Sequence, residues 1–492
     1  MFILLLFVSL TTAADNAVSP RGCRVGTPRP QGMALRRGAP SGQPKHVGGD
    51  FYHGDRNQLT VLVSFSDQQF LVDDPIPVWN NILNGVNYTE GKFYGSAYDY
   101  FYAQSDGQFR LHFDVQRVVL DQSRMRYSST PGTYGDDENS QYLVQDIMEV
   151  LKTRDIDWSL YDWNGDGFVN QLLIIYAGKG MNMDGDDNTI WPHQWWMSSH
   201  RKDYHESTYQ PDVYCDPIPV TYGGKQYLVD CYCTVAEEAY GDYRTFGVLC
   251  HEYTHCFGFP DFYGLNTTPH YWDLMDASYN NNGFCPGNYS GHERMMMGWI
   301  TPKPLTVSQT ISDMSANEAY IIYNDAHPDE YYMVENRQKT GWDSSLPGSG
   351  LVVFHIDYNE EIWLYSNVNT TEDKIPKLRY RIIPANNKQE YRNNEANWSY
   401  PYLANDSLTN SSKPAATLNN ENTDGTKLMN KSMRDIDVTN GLASFRFTED
   451  TPTGIEERTT QQLPETLYDL GPIYIIRYSN GTIKKVMKHK NK

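Results

Sequence analysis

The sequence predicts a mixed α/β (α+β) domain, then a β-rich domain, then a small C-terminal β tail. Three observations carry that expectation. Between residues 50 and 300, short apolar runs of strand character alternate with segments of helical spacing. After Trp299-Ile-Thr-Pro-Lys-Pro304 the composition shifts to short β-like runs separated by Asn, Ser and Thr. From Thr453 the character changes again, to a small β pattern with a basic end. The expected division is 1–14, 15–48, 49–300, 301–450 and 451–492.

The chain has 492 residues, enough for several domains and a sizeable core. Aromatics make up 13% and charged residues only 21%, a balance that argues against disorder. The net charge of -20 repels phosphate backbones, so nucleic acid is not an expected partner. That charge suits cation binding and a soluble life outside the cell. Residues Phe2 to Leu10 are apolar apart from Ser9, and Thr11, Thr12, Ala13 and Ala14 follow before Asp15. This reads as a secretory signal peptide cleaved after Ala13 or Ala14. The run is too short to span a bilayer, and no later segment is apolar enough to do so. Six of the seven cysteines lie between 215 and 285, a pattern that permits disulfides in an exported chain without fixing their pairing.

Taken in order, residues 15–48 are rich in Pro, Gly and Arg and read as a pro-segment or flexible lead. Leu59–Asp67 alternates as a strand, Ser96–Gln104 has helical character, and Phe109–Val119 reads as strands. Leu143, Ile147, Val150 and Leu151 give Gln141–Lys152 a helical stripe. Leu172–Ala177 suits a buried strand. Tyr243–Gly258 is the clearest helix, with Phe246, Leu249, Tyr253 and Phe257 three and four apart, Gly258 at its end and Pro260 beyond. The later β-like runs are Ala319–Tyr323, Tyr331–Glu335, Leu351–Ile356 and Ala443–Phe447.

The string that carries chemistry is His251-Glu252-Tyr253-Thr254-His255-Cys256-Phe257-Gly258-Phe259-Pro260-Asp261. Residues four apart share one face of a helix, so His251 and His255 can present two imidazoles to one metal ion. Glu252 sits beside them, placed to act on a water at the metal rather than to ligate. Gly258 lets the chain turn sharply, and Asp261 then supplies a third ligand. Two His and one carboxylate leave a fourth position open, which marks a catalytic rather than a structural zinc site. Glu293, in His292-Glu-Arg, is the alternative third ligand, with poorer geometry.

Downstream, Trp272-Asp-Leu-Met275-Asp places Met275 in a turn-like context, and a Met in a tight turn floors metzincin sites. With these pieces the chain resembles the M6 peptidases, the immune inhibitor A-like metzincins. Further matching pieces are Tyr98–Gly107, Asp162–Gly178, Ile190-Trp-Pro-His193, Met297-Gly-Trp299, Glu335-Asn-Arg337 and Leu346–Asp357. The resemblance covers roughly residues 50 to 450. It implies a secreted zinc endopeptidase with an α/β metzincin-like catalytic domain and a β-rich domain after it. It also implies His251, His255 and Asp261 as ligands, Glu252 as general base, and protein or peptide substrates. The short lead departs from the family, leaving little room for a large folded pro-domain.

Four further readings complete the set. Tyr279, shortly after Met275, is a candidate hydroxyl for stabilising the tetrahedral oxyanion. Asp162-x-Asn164-x-Asp166-Gly167 has the oxygen spacing of a calcium loop, so structural Ca2+ is an expected second metal there. Leu173 at the twelfth position excludes an EF-hand, and the other reading is an Asx-turn entering the strand after it. Cys23, among basic residues, is a candidate for blocking the open zinc position in a latent form. The tail resembles the C-terminal sorting segments of type IX-exported proteins, on Thr453-Gly-Ile-Glu-Glu457, Tyr468-Asp-Leu470, Ile473–Arg477 and Gly481–Val486. Export machinery is therefore an expected partner, with release or retention at the cell surface decided by the tail; a final hairpin of the β domain is the other reading. Against the peptidase stands a weakly active adhesin or host-binding protein on the same scaffold, and an intact Glu252 speaks against it.

Overall fold

Alternation of side chains along a parallel sheet builds the first half of the molecule. The computed structural model describes residues 48, 51–128, 139–184, 189–200, 214–263, 268–316, 318–365, 368–369, 378–388 and 394–450, with three strands beyond. The signal run and Cys23 lie outside these residues. Five strands pair in the order Phe109–Val119, Gly54–Ser64, Leu172–Lys179, Cys231–Glu238, His193–Trp196. The first four are parallel and the last, outermost strand is antiparallel, with His193 opposite Thr234 and Trp196 opposite Cys231.

Because successive residues point to opposite faces, each central strand feeds two cores. Leu62, Leu173, Ile175, Cys231, Cys233 and Val235 face one core, which holds the helix Phe246–His255. Val61, Val63, Leu172, Ile174 and Tyr232 face the other, which is closed by Leu143, Val144, Ile147 and Leu151 of the helix Ser140–Leu151. Each such side chain contributes about 1.5–3 kcal/mol on burial. The helix Ala97–Gln104 begins at a reciprocal cap. Ser96 Oγ accepts from Asp99 N, and Asp99 Oδ2 accepts from Ser96 N, both at 3.0 Å.

The helix expected over 243–258 is shorter, Phe246–His255, because its two ends are open turns. Tyr243 O accepts from Phe246 N, and Gly258 N closes on His255 O at 2.9 Å. Gly258 has φ 92, a left-handed conformation that lets the chain leave sharply.

After residue 300 a second five-stranded sheet runs Tyr380–Ile382, Gly350–Asp357, Glu330–Arg337, Ala319–Tyr323, Lys303–Pro304. A three-stranded sheet, Gln309–Met314, Leu442–Glu449, Lys431–Thr439, packs over it. Alternation again divides the faces. Tyr320, Ile322, Tyr332, Val334 and Val353 meet Met433 and Phe445 of the three-stranded sheet. Ile321, Met333, Val352, Phe354, Ile356 and Tyr380 join the cluster that contains the helix Phe246–His255. The β-rich part and the α/β part thus share one core, and contacts group Met1–Glu449 as one unit and Asp450–Lys492 as another. The second unit holds three antiparallel strands, Pro464–Asp469, Ile473–Tyr478 and Ile483–Met487. Among the described residues no helix is long and apolar enough to cross a membrane.

Candidate metal centre

The helix Phe246–His255 is buried along all ten residues. Its outer face, which a surface helix would give to water, carries His251, Glu252 and His255 into the interior instead. His251 Nε2 lies 3.2 Å and His255 Nε2 3.4 Å from Asp261 Oδ1. One ligating atom from each of the three residues falls within 4.8 Å of the others. The two imidazole planes stand at 86°, with centroids 4.8 Å apart.

The tautomers follow from the partners. His251 Nδ1 is 2.7 Å from Leu274 O, and His255 Nδ1 is 2.7 Å from Phe259 O. A carbonyl only accepts, so each Nδ1 carries a hydrogen and each neutral ring turns an Nε2 lone pair toward Asp261. Three electron-pair donors facing one another in a buried site require a cation between them. Nitrogen, nitrogen and carboxylate oxygen are the donor set of a catalytic zinc site. Without a metal, a proton takes that part. Burial opposes charge on His251, but Asp261 prevails and raises the ring to about 9. Burial likewise works against the Asp261 carboxylate, yet His255 and His251 hold it well below the usual range.

A hydrogen-bonded turn follows the cluster in the chain. Asp273 O accepts from Ser278 N at 2.9 Å, Asp273 Oδ1 accepts from Met275 N at 2.8 Å, and Met275 O accepts from Phe262 N at 2.8 Å. Met275 is fully buried in this turn. Leu274 O, the acceptor for His251, belongs to the same turn. The Tyr279 ring is tilted 56° to that of His251, with centroids 4.7 Å apart. Glu252 is fully buried next to His251 and acts on it electrostatically.

The other sequence candidates fall elsewhere. Glu293 caps the helix Gly291–Met296, its Oε2 accepting from Ser290 N at 2.7 Å, so it serves the backbone rather than the three-ligand cluster. In the expected calcium loop, Asp162 Oδ2 accepts from Gly167 N at 3.0 Å and Asp166 Oδ1 from Phe168 N at 2.8 Å. Asn164 Nδ2 donates to Asp166 Oδ2 at 3.0 Å, and Lys225 Nζ lies 3.5 Å from Asp162 Oδ2. Those bonds close the loop on itself in the manner of linked Asx-turns. The six described cysteines are all buried. The carbonyls of Leu274 and Phe259, which set both ligand tautomers, carry no side-chain signature and were invisible to motif reading.

Two comparisons with known proteins agree with this geometry. Residues 79–298 match the family model described as immune inhibitor A peptidase M6, catalytic domain. That stretch contains the three converging side chains and Met275. The chain is also 27% identical over 281 residues to Immune inhibitor A of Bacillus thuringiensis subsp. alesti, an alignment covering 49% of this chain and 38% of that relative. The chain therefore spans well under half of that protein's length.

Proposed function

We propose that the chain is a secreted zinc-dependent endopeptidase that hydrolyses peptide bonds in proteins. The observation that carries this reading is the convergence of His251 Nε2, His255 Nε2 and Asp261 Oδ1 in a buried cluster, with both Nδ1 atoms fixed by carbonyls. His251, His255 and Asp261 would hold the ion. When bound, zinc supplies Lewis-acid polarisation of the scissile carbonyl and lowers the pKa of water toward 7. Glu252 takes the proton from the attacking water and returns it to the leaving amine. Tyr279, beside His251, offers its hydroxyl to the developing oxyanion. The turn around Met275 supports placement among the metzincins.

Structural calcium in the Asp162–Gly167 loop belongs to the same reading, with Asp162, Asn164 and Asp166 as oxygen donors and Lys225 displaced. Secretion rests on the N-terminal apolar run, and export with release or surface retention rests on the tail. The peptidase would occupy 49–300, with a β-rich domain over 301–450.

The test uses mature protein and its Glu252→Ala variant, assayed for casein cleavage with and without a zinc chelator, with bound metal measured in both. The expected result is cleavage by the parent, loss with chelator, and a variant that binds zinc but does not cleave. A parent that binds zinc and cleaves nothing would instead identify a binding protein on a peptidase scaffold.

A further inference from the structure

The loops that hold the ligand side chains are themselves held by residues outside the stretch matched to the peptidase family. Leu274 O fixes His251, and Leu274 sits between Asp273 and Met275 in a turn with no strand partner. Asp273 Oδ2 accepts from the Tyr380 hydroxyl at 2.9 Å, and that hydroxyl also lies 2.7 Å from Ser290 Oγ. Just before the turn, Trp272 Nε1 donates to Glu395 O at 3.0 Å.

The second ligand arm ends on the same residue. Phe262, directly after Asp261, stacks on the Tyr380 ring with centroids 3.8 Å apart and planes 18° apart. Asn369 Nδ2 donates to Phe262 O at 2.6 Å and to Tyr380 O at 2.7 Å. Its Oδ1 accepts from Tyr380 N at 2.9 Å. One amide thereby ties the Asp261 segment to the strand Tyr380–Ile382. All of these groups are buried, where exchange with water does not compete with the bonds.

We infer that Tyr380 and Asn369 are positioning residues of the metal centre: from the β-rich part they clamp the Asp261 segment and the turn that orients His251. This rests on the reading of the cluster as a metal site. Outer-sphere partners that orient ligands typically change metal affinity 10–100-fold when removed. Tyr380 reaches His251 through Asp273 and Leu274 rather than directly, so the low end of that range applies.

The experiment measures Zn2+ affinity by chelator competition and the visible spectrum of the Co2+-loaded full chain. Tyr380→Phe removes the hydroxyl and keeps the stacking ring. Tyr332→Phe is the control. Its hydroxyl donates to Thr417 O at 2.6 Å from the strand Glu330–Arg337, two strands away in the same sheet, on the face turned away from the centre. Tyr380→Phe is expected to weaken Zn2+ binding about tenfold and to alter the Co2+ spectrum, with Tyr332→Phe leaving both unchanged. Asn369→Ser carries the same expectation and serves if Tyr380→Phe does not fold. Wild-type affinity and spectrum in both Tyr380→Phe and Asn369→Ser, or equal losses in Tyr380→Phe and Tyr332→Phe, would overturn the inference. A parent chain that binds neither ion would overturn the reading of the site, and this inference with it.

Discussion

Replacing Arg337 by Leu should be among the costliest single changes in the chain, although Arg337 touches no ligand. Arg337 Nε donates to Asp343 Oδ2 at 2.7 Å and Nη2 to Asp343 Oδ1 at 2.8 Å, a two-pronged pair. Nη2 also donates to Asn288 O at 3.1 Å, and Glu335 Oε2 lies 3.7 Å from Nη1. Side-chain exposure is 3% for Arg337 and 6% for Asp343, so water cannot replace the lost partner. Leu would leave Asp343 with the Asn288 N–H as its remaining donor, and Glu335 without its cation. Breaking a buried pair from one side costs about 3–5 kcal/mol. The exposed pair Arg446–Asp435, at 2.8 Å with 47% and 67% exposure, sets the reference, because exposed pairs contribute about 0–1 kcal/mol. Guanidinium unfolding followed by tryptophan fluorescence compares Arg337→Leu with Arg446→Leu. Equal shifts in midpoint for the two variants would refute the argument that burial sets the value of this pair.

Three more outcomes are expected. Gly48 has φ 72 and an added Cβ would meet Met296 O at 2.2 Å, whereas Gly54 has φ 74 and open space; Gly48→Ala should cost about 3 kcal/mol and Gly54→Ala about 1, read from thermal midpoints. Burial raises Glu237, Asp273 and Glu335 to about 7, Asp276 to about 6 and Glu293 well above its ordinary value. These five carboxyls outnumber the four histidines that burial lowers, His200, His270, His292 and His355, so the folded state binds more protons than the unfolded one from about pH 5 to 7. Stability should therefore fall as pH rises through that window, and a denaturation midpoint that climbs between pH 5 and 7 would contradict it. Zinc at about one hundred times its Kd should add about 2.7 kcal/mol to the parent and far less to Asp261→Asn, measured by calorimetric melting.

What was legible in the sequence is what local geometry encodes. His251 and His255 share a helix face at a spacing of four, Gly258 supplies the turn, and Asp261 follows within reach, all inside eleven residues. The helical stretch Ser96–Gln104 and the run Leu172–Ala177 are equally local. Other elements carried signals that were not read: Asp74 caps the helix Pro75–Asn84, with Pro75 in its first turn. The strand His193–Trp196 had no readable pattern. Its residues neither alternate nor branch, and pairing with Cys231–Glu238 alone makes it a strand. The β-rich part was expected as a domain of its own. Alternate residues of its strand Glu330–Arg337 feed cores on both sides.

The same two-sided sheet explains how the cluster of His251, His255 and Asp261 can be held by loops. Phe259 and Leu274, whose carbonyls fix the two imidazoles, lie outside helix and strand. Holding each such residue in one conformation costs about 1–2 kcal/mol of backbone entropy. Helix formation cannot supply that for residues beyond Gly258, where the helix has ended. Packing supplies it instead. Phe262 lies between Met275 O, which takes its N–H, and Tyr380, which takes its ring. Tyr380 in turn belongs to an edge strand paired with Gly350–Asp357, which pairs with Glu330–Arg337, and both of those strands are buried along their whole length. Fully buried strands of the second half of the chain thus lie behind irregular segments of the first. The stretch matched to the peptidase family supplies every ligating atom of the cluster, but the order of those atoms depends on side chains more than one hundred residues away.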